Sequence, residues 1–138
     1  MSPYRTLPHT ADLRVEITAP DRAALYAEAG KALTSLYTDR RKVRKAGKIT
    51  LEVRGESAEE LLVNWLNELI YRFEVQKILF SDFKVENLAK DQLKVIARGE
   101  EFAPQKHILK DTPKAATYHL LNIVQETDRC LARVVFDV

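Results

Sequence analysis

The stretch "SAEELLVNWLNELIYRF", residues 57–73, limits the fold more than any other part of the chain. Ser57 and Glu60 have the spacing of a capping box, and Leu61, Leu62, Trp65, Leu66, Leu69, Ile70 and Phe73 then fall along one broad helical stripe. At this spacing and density the Trp and Phe rings read as core packing, not as a ligand groove. A stripe this wide needs apolar surface from other elements, so the flanking segments must supply it.

They do so as strands and one further helix. In "LRVEI", Leu13, Val15 and Ile17 alternate with Arg14 and Glu16, the period of a half-buried strand. Asp21 has the position of an N-cap, and Leu25, Ala29, Ala32, Leu33 and Leu36 continue at helical spacing through Tyr37. Residues 39–48 form a basic connection carrying Arg40, Arg41, Lys42, Arg44 and Lys45, which could touch RNA but reads first as a solvated connector outside the site. "KITLEVRG" alternates again and ends at Gly55; Phe83, Val85 and Leu88, the polar "AKDQ", and Leu93, Val95 and Ala97 read as a hairpin.

The last third carries a weaker pattern. "TPKAATYHLL" reads as a short helix with Thr112 as N-cap and Pro113 in the first position, although it tolerates a strand. In that helix Lys114 would sit in the first turn, where the dipole disfavours a cation. "LNIVQETDRCLARVVFDV" reads as two strands joined at "ETDR", with Ala132, Val134 and Phe136 on one face. The sum is a single α+β domain over residues 1–138, two to three helices packed on a largely antiparallel sheet.

Composition narrows the function classes. With 22 Lys and Arg against 20 Asp and Glu, the net charge of +2 is too small to hold a nucleic acid by counterion release over the whole surface. No stretch approaches the roughly 18 apolar residues of a membrane span. A single cysteine, Cys130, and the absence of a signal-peptide run read as a cytoplasmic protein, with Cys130 a buried hydrophobe in a strand. No phosphate loop, dinucleotide fingerprint, serine elbow, HExxH or CxxC pair is present, which argues against a self-contained NTPase, hydrolase or zinc enzyme.

Polar residues at element ends remain: His9, Thr10, Asp12, Glu100, Glu101, His107, Lys114, His119 and Asp137. Asp12 and His9 can each be read as turn residues. Asp137 crowds the α-carboxylate of Val138, and an oxygen-only pair of this kind suits a hard cation such as Ca²⁺, with Mg²⁺ or Mn²⁺ as alternatives. Asp12 completes the cluster if the final strand pairs beside the first.

"HTAD" at 9–12, "LLVNWLNELIYRFE" at 61–74, "RGEEF" at 98–102, "PKAATYH" at 113–119 and the ending "VVFDV" together resemble the archease family, in order and spacing. Pro8 departs from the family pattern, where an acidic residue often precedes this motif. The resemblance implies a small α+β protein cofactor of the RtcB-type tRNA-splicing RNA ligase. Such a cofactor promotes guanylylation of the ligase and multiple turnover without making bonds itself, and RNA is met through the ligase. It further implies that Asp12, Asp137 and Val138 bind a divalent metal ion and that Lys114 is needed for activation. His9 and Thr10 would shape the turn behind Asp12, and Glu100 and His107 are weaker candidates. The alternative from the same family is a chaperone-like modulator of an RNA-modifying enzyme such as a tRNA methyltransferase.

Overall fold

The structure, a computed structural model, describes residues 3–7 and 12–138. The elements run β1 (Tyr4–Leu7), β2 (Leu13–Ala19), α1 (Arg22–Tyr37), a short 3-10 turn (Arg40–Lys42), β3 (Gly47–Arg54), α2 (Ala58–Gln76), β4 (Ile78–Leu88), β5 (Gln92–Glu101), β6 (Ala115–Gln125) and β7 (Cys130–Asp137). The strands form two separate antiparallel sheets, ordered β1-β2-β7-β6 and β3-β5-β4, where the sequence suggests one. The α+β reading with two helices stands. No helix among the described residues is long and apolar enough to cross a membrane.

Both helices begin where their caps stand. The Asp21 carboxylate accepts from the Ala24 N–H at 2.8 Å, and Ser57 Oγ accepts from the Glu60 N–H at 3.0 Å. Glu60 reaches back one residue further than a standard capping box, to the N–H of Glu56 at 3.1 Å.

Each helix packs on strands of both sheets, and among the described residues no close backbone contact joins strands of different sheets. The helix pair is therefore the middle layer. That position explains why α1 is buried well beyond its stripe: Tyr26, Gly30, Thr34 and Tyr37 are covered along with Leu25, Ala29 and Leu33. Three polar side chains taken into this layer are paired with main-chain carbonyls. Trp65 Nε1 donates to the Tyr26 carbonyl at 2.8 Å, Tyr26 Oη to the Ala58 carbonyl at 3.0 Å, and Thr34 Oγ1 to the Phe80 carbonyl at 2.7 Å. Gly30 lets α1 approach β4, since a Cβ there would lie 2.9 Å from the Phe83 ring.

Two expectations fail in the chain's outer parts. Tyr4–Leu7 form a strand paired with β2, from Tyr4 opposite Ile17 to Leu7 opposite Arg14, which four residues were too few to announce. The segment after Pro113 is a strand, not a short helix. Its first residues pair with β7, Ala115 opposite Asp137 and Thr117 opposite Val135, and that ladder satisfies the main chain better than a single helical turn would.

Candidate functional site

One end of the four-stranded sheet gathers Asp12, Asp137, Val138 and Lys114. In the β2–β7 ladder Leu13 stands opposite Phe136, so the next step of the register sets Asp12 against Asp137. Phe136 is buried and Leu13 packs on the core, which turns the two aspartates to the outer face by alternation. That face carries a charge pattern. Glu16 lies opposite both Arg5 and Arg133 and accepts from their Nε atoms at 3.1 and 3.0 Å. Burial pushes the Glu16 carboxyl up, but the hydrogen bonds from Arg133 and Arg5 prevail and hold it below its ordinary value. Asp12 opposite Asp137 is instead a like-charged pair, which costs stability unless a cation answers it. Arg14 answers part of that charge, its Nε forming an ion pair with Asp12 Oδ1 at 3.6 Å, a contact too long for a hydrogen bond.

Lys114 is held beside this pair by main-chain bonds on three sides. Its own N–H donates to the Asp137 carbonyl at 2.7 Å. The preceding Pro113 carbonyl accepts from Tyr37 Oη at 3.3 Å, and the side-chain amide of Asn67 brackets Ala116, accepting from its N–H at 2.8 Å and donating to its carbonyl at 3.3 Å. The Lys114 and Asp137 side chains are exposed, as is that of Val138. Lys114 thus stands just before β6 and not in the first turn of a helix, so no helix dipole disfavours its charge.

Two aspartates with a main-chain carboxylate are an oxygen-only donor set of the kind hard cations accept. Among the described residues no group of three or more His, Cys, Asp and Glu side chains is placed to hold a metal, so side chains offer two ligands at most. His9 and Thr10 lie outside the described residues.

Residues 4–138 match the model of the Archease protein family (MTH1598/TM1083). The chain belongs to the archease family. The archease of Methanopyrus kandleri is 36% identical over 139 residues, covering 99% of both chains, and that of Pyrococcus furiosus is 35% identical over 134 residues, covering 94% of both. The solution structure of Methanobacterium thermoautotrophicum protein 1598 superposes with a TM-score of 0.86 at 31% identity, over 100% of both chains. The crystal structure of a Thermotoga maritima archease, described as a possible chaperone, shares the fold with a TM-score of 0.66 at 22% identity, covering 97% of this chain and 96% of that one.

Glu100 and His107 occupy a different place in this archease fold from the one their sequence suggests. They read as an exposed acid and a loop histidine, yet His107 is buried. Its Nδ1 accepts from the Ala103 N–H at 2.9 Å, which leaves Nε2 to donate to Glu100 Oε2 at 2.9 Å. The same oxygen accepts from Lys106 Nζ at 2.6 Å and from the Arg44 N–H at 2.9 Å. Desolvation raises the Glu100 carboxyl, but the bonds from Lys106, Arg44 and His107 outweigh it and bring it down to about 2. This cluster pins the start of the connection between β5 and β6, whose far end carries Lys114. Glu101 and His119 are exposed on β5 and β6. Cys130 is fully buried, its thiol pushed up by desolvation and directed at Gln125 Oε1 at 3.1 Å, as suits a structural cysteine.

Proposed function

We propose that this protein is a cofactor of an RtcB-type RNA ligase, presenting Asp12, Asp137, Val138 and Lys114 to the ligase's nucleotide site. Membership of the archease family supports the reading, and the observation that carries it is the like-charged pair Asp12–Asp137 beside a firmly held lysine. A divalent cation, Ca²⁺ or else Mg²⁺ or Mn²⁺, would be held by Asp12, Asp137 and the Val138 carboxylate. Bound there, it supplies positive charge that offsets repulsion among carboxylates and nucleotide phosphates. The remaining ligands then come from main chain, water or ligase, since the chain's own side chains offer two. Lys114 meets a phosphate or carboxylate of the partner as a point charge, from a backbone clamped between β7 and α2.

The deciding experiment measures GTP-dependent guanylylation of purified ligase with and without the protein. Guanylylation and turnover rise with the wild type, and Asp12→Asn or Asp137→Asn lowers the stimulation more than tenfold while the fold persists. A ligase indifferent to a stoichiometric excess would falsify the proposal.

The chaperone-like reading draws on the exposed apolar residues Tyr118, Leu120 and Val124 of β6. A holdase would tolerate both asparagine variants and fail on Leu120→Ser.

A further inference from the structure

The basic loop seen in the sequence does not stand alone in the fold. Tyr37, at the end of α1, leads into Asp39 and the 3-10 turn Arg40–Lys42, and the connection from β5 to β6 runs back over this same end. The Lys110 and Asp111 N–H groups donate to the carbonyls of Tyr37 and Leu36 at 2.8 and 3.0 Å, and Thr38 Oγ1 donates to the Ile108 carbonyl at 2.9 Å. Two segments distant in sequence are thereby fixed side by side. They line two adjoining clefts of about 410 and 260 Å³ that share Thr38, Asp39 and Lys110.

Five basic side chains, Arg40, Arg41, Lys42, Lys106 and Lys110, line these clefts against one carboxylate, Asp39. Asp39 is occupied by Arg41 at 3.1 Å, and Glu100 by Lys106. Arg40 donates to the Ser81 carbonyl, while Lys42 and Lys110 are exposed and make no ion pair among the described residues. The negative end of α1 and Asp39, whose charge Arg41 and Lys42 share, account for part of this excess, but together they fall short of the five cations. Tyr4, half-buried, also lines the larger cleft, and an aromatic side chain is a surface on which bases stack. Lys110 is four residues from Lys114, a span of at most about 14 Å in extended chain.

We infer that this cleft is a binding site for the phosphate backbone of single-stranded RNA, with the exposed Lys42 and Lys110 as its principal contacts. The identity of the polyanion as RNA rests on the ligase reading above; the cation geometry does not. The patch holds the strand close to the end of the sheet where Asp137 and Lys114 lie. It acts through local charge in a molecule whose net charge is only +2.

The test is fluorescence anisotropy of a labelled single-stranded RNA of about 15 nucleotides with the protein alone, across a salt series. Wild type binds with a log–log salt slope of about −2 to −3, and the double variant Lys42→Glu/Lys110→Glu binds at least tenfold more weakly with a slope smaller by about 1.4 or more. Lys42→Gln/Lys110→Gln gives the same direction should charge reversal disturb folding. Lys90→Glu/Arg129→Glu changes the net charge equally in the β4–β5 and β6–β7 turns and retains affinity. Equal RNA affinity in wild type and the Lys42/Lys110 variants overturns the inference, as does an equal loss in the control. Calorimetry with RNA-free ligase supplies the other arm: a loss of ligase affinity with RNA affinity intact assigns the patch to an acidic protein surface and overturns the RNA site. Guanylylation by wild type, measured without RNA, reads the cofactor role separately, so failure of either idea is visible by itself.

Discussion

Glu100 illustrates how much a single oxygen can organise. Because its carboxyl is held at about 2 in the folded protein, well below its ordinary 4.5, the ionised form contributes stability above pH 4.5. That contribution disappears as pH falls from 4.5 towards 2. Glu100→Gln should cost about 2 kcal/mol at pH 7, the scale of charge-assisted hydrogen bonds, and the gap in Tm between variant and wild type should close across that acid window. A constant gap from pH 7 to pH 3 would remove the charge from the explanation. For Lys114, whose side chain is exposed, Lys114→Ala should leave stability within about 0.5 kcal/mol while stimulation of the ligase falls more than tenfold. Denaturant titration alongside guanylylation separates the two effects; a loss of stimulation matched by unfolding refutes the role. Asp12 and Asp137 each flank an alternating run, but spacing alone leaves open whether the two runs pair; the ladder is what makes β2 and β7 neighbours. His107 was not legible: its partners Ala103 and Glu100 are met through an irregular turn, which leaves no period to read.

The helices could be read because cap and stripe agree, as at Ser57 and Leu61–Phe73. β6 could not. Thr112-Pro113 has the look of a helix start, and the register against β7 breaks between Thr117 and Asn122, where Leu120 takes a left-handed φ of 56°. Alternation is interrupted at the point where it would have identified a strand. α1 was recognised but its burial underestimated, since a stripe predicts one covered face and the second sheet covers another. Gly30 records that second contact. Gly30→Ala improves helix propensity, yet it should destabilise the protein by about 1–3 kcal/mol because the new methyl group meets the Phe83 ring. Thermal denaturation checks this, and Gly30→Ala combined with Phe83→Leu should recover part of the loss. Stabilisation by the single change would mean that β4 yields freely.

Across the whole molecule, both sheets pack on the same pair of helices, and Trp65, the single tryptophan, is buried in that layer. Unfolding followed by Trp65 fluorescence and by far-UV circular dichroism should therefore give coincident transitions; separated midpoints would show that one sheet survives the other. The order in which the sheets arise is a different matter. β4 and β5 pair across a turn of a few residues, whereas Leu13 finds Phe136 across most of the chain. Closing so long a loop delays the pairing until other contacts can offset the lost chain entropy. The three-stranded sheet can assemble early on α2, while β7 must wait for β2 before it can occupy the middle of its own sheet. Pulsed hydrogen exchange during refolding should protect Val95 and Ala97 ahead of Val15 and Val134, and the reverse order would contradict this sequence of events. The same late step brings Asp12 and Asp137 together, so the acidic pair is absent from every species on the pathway that has not yet closed this last ladder.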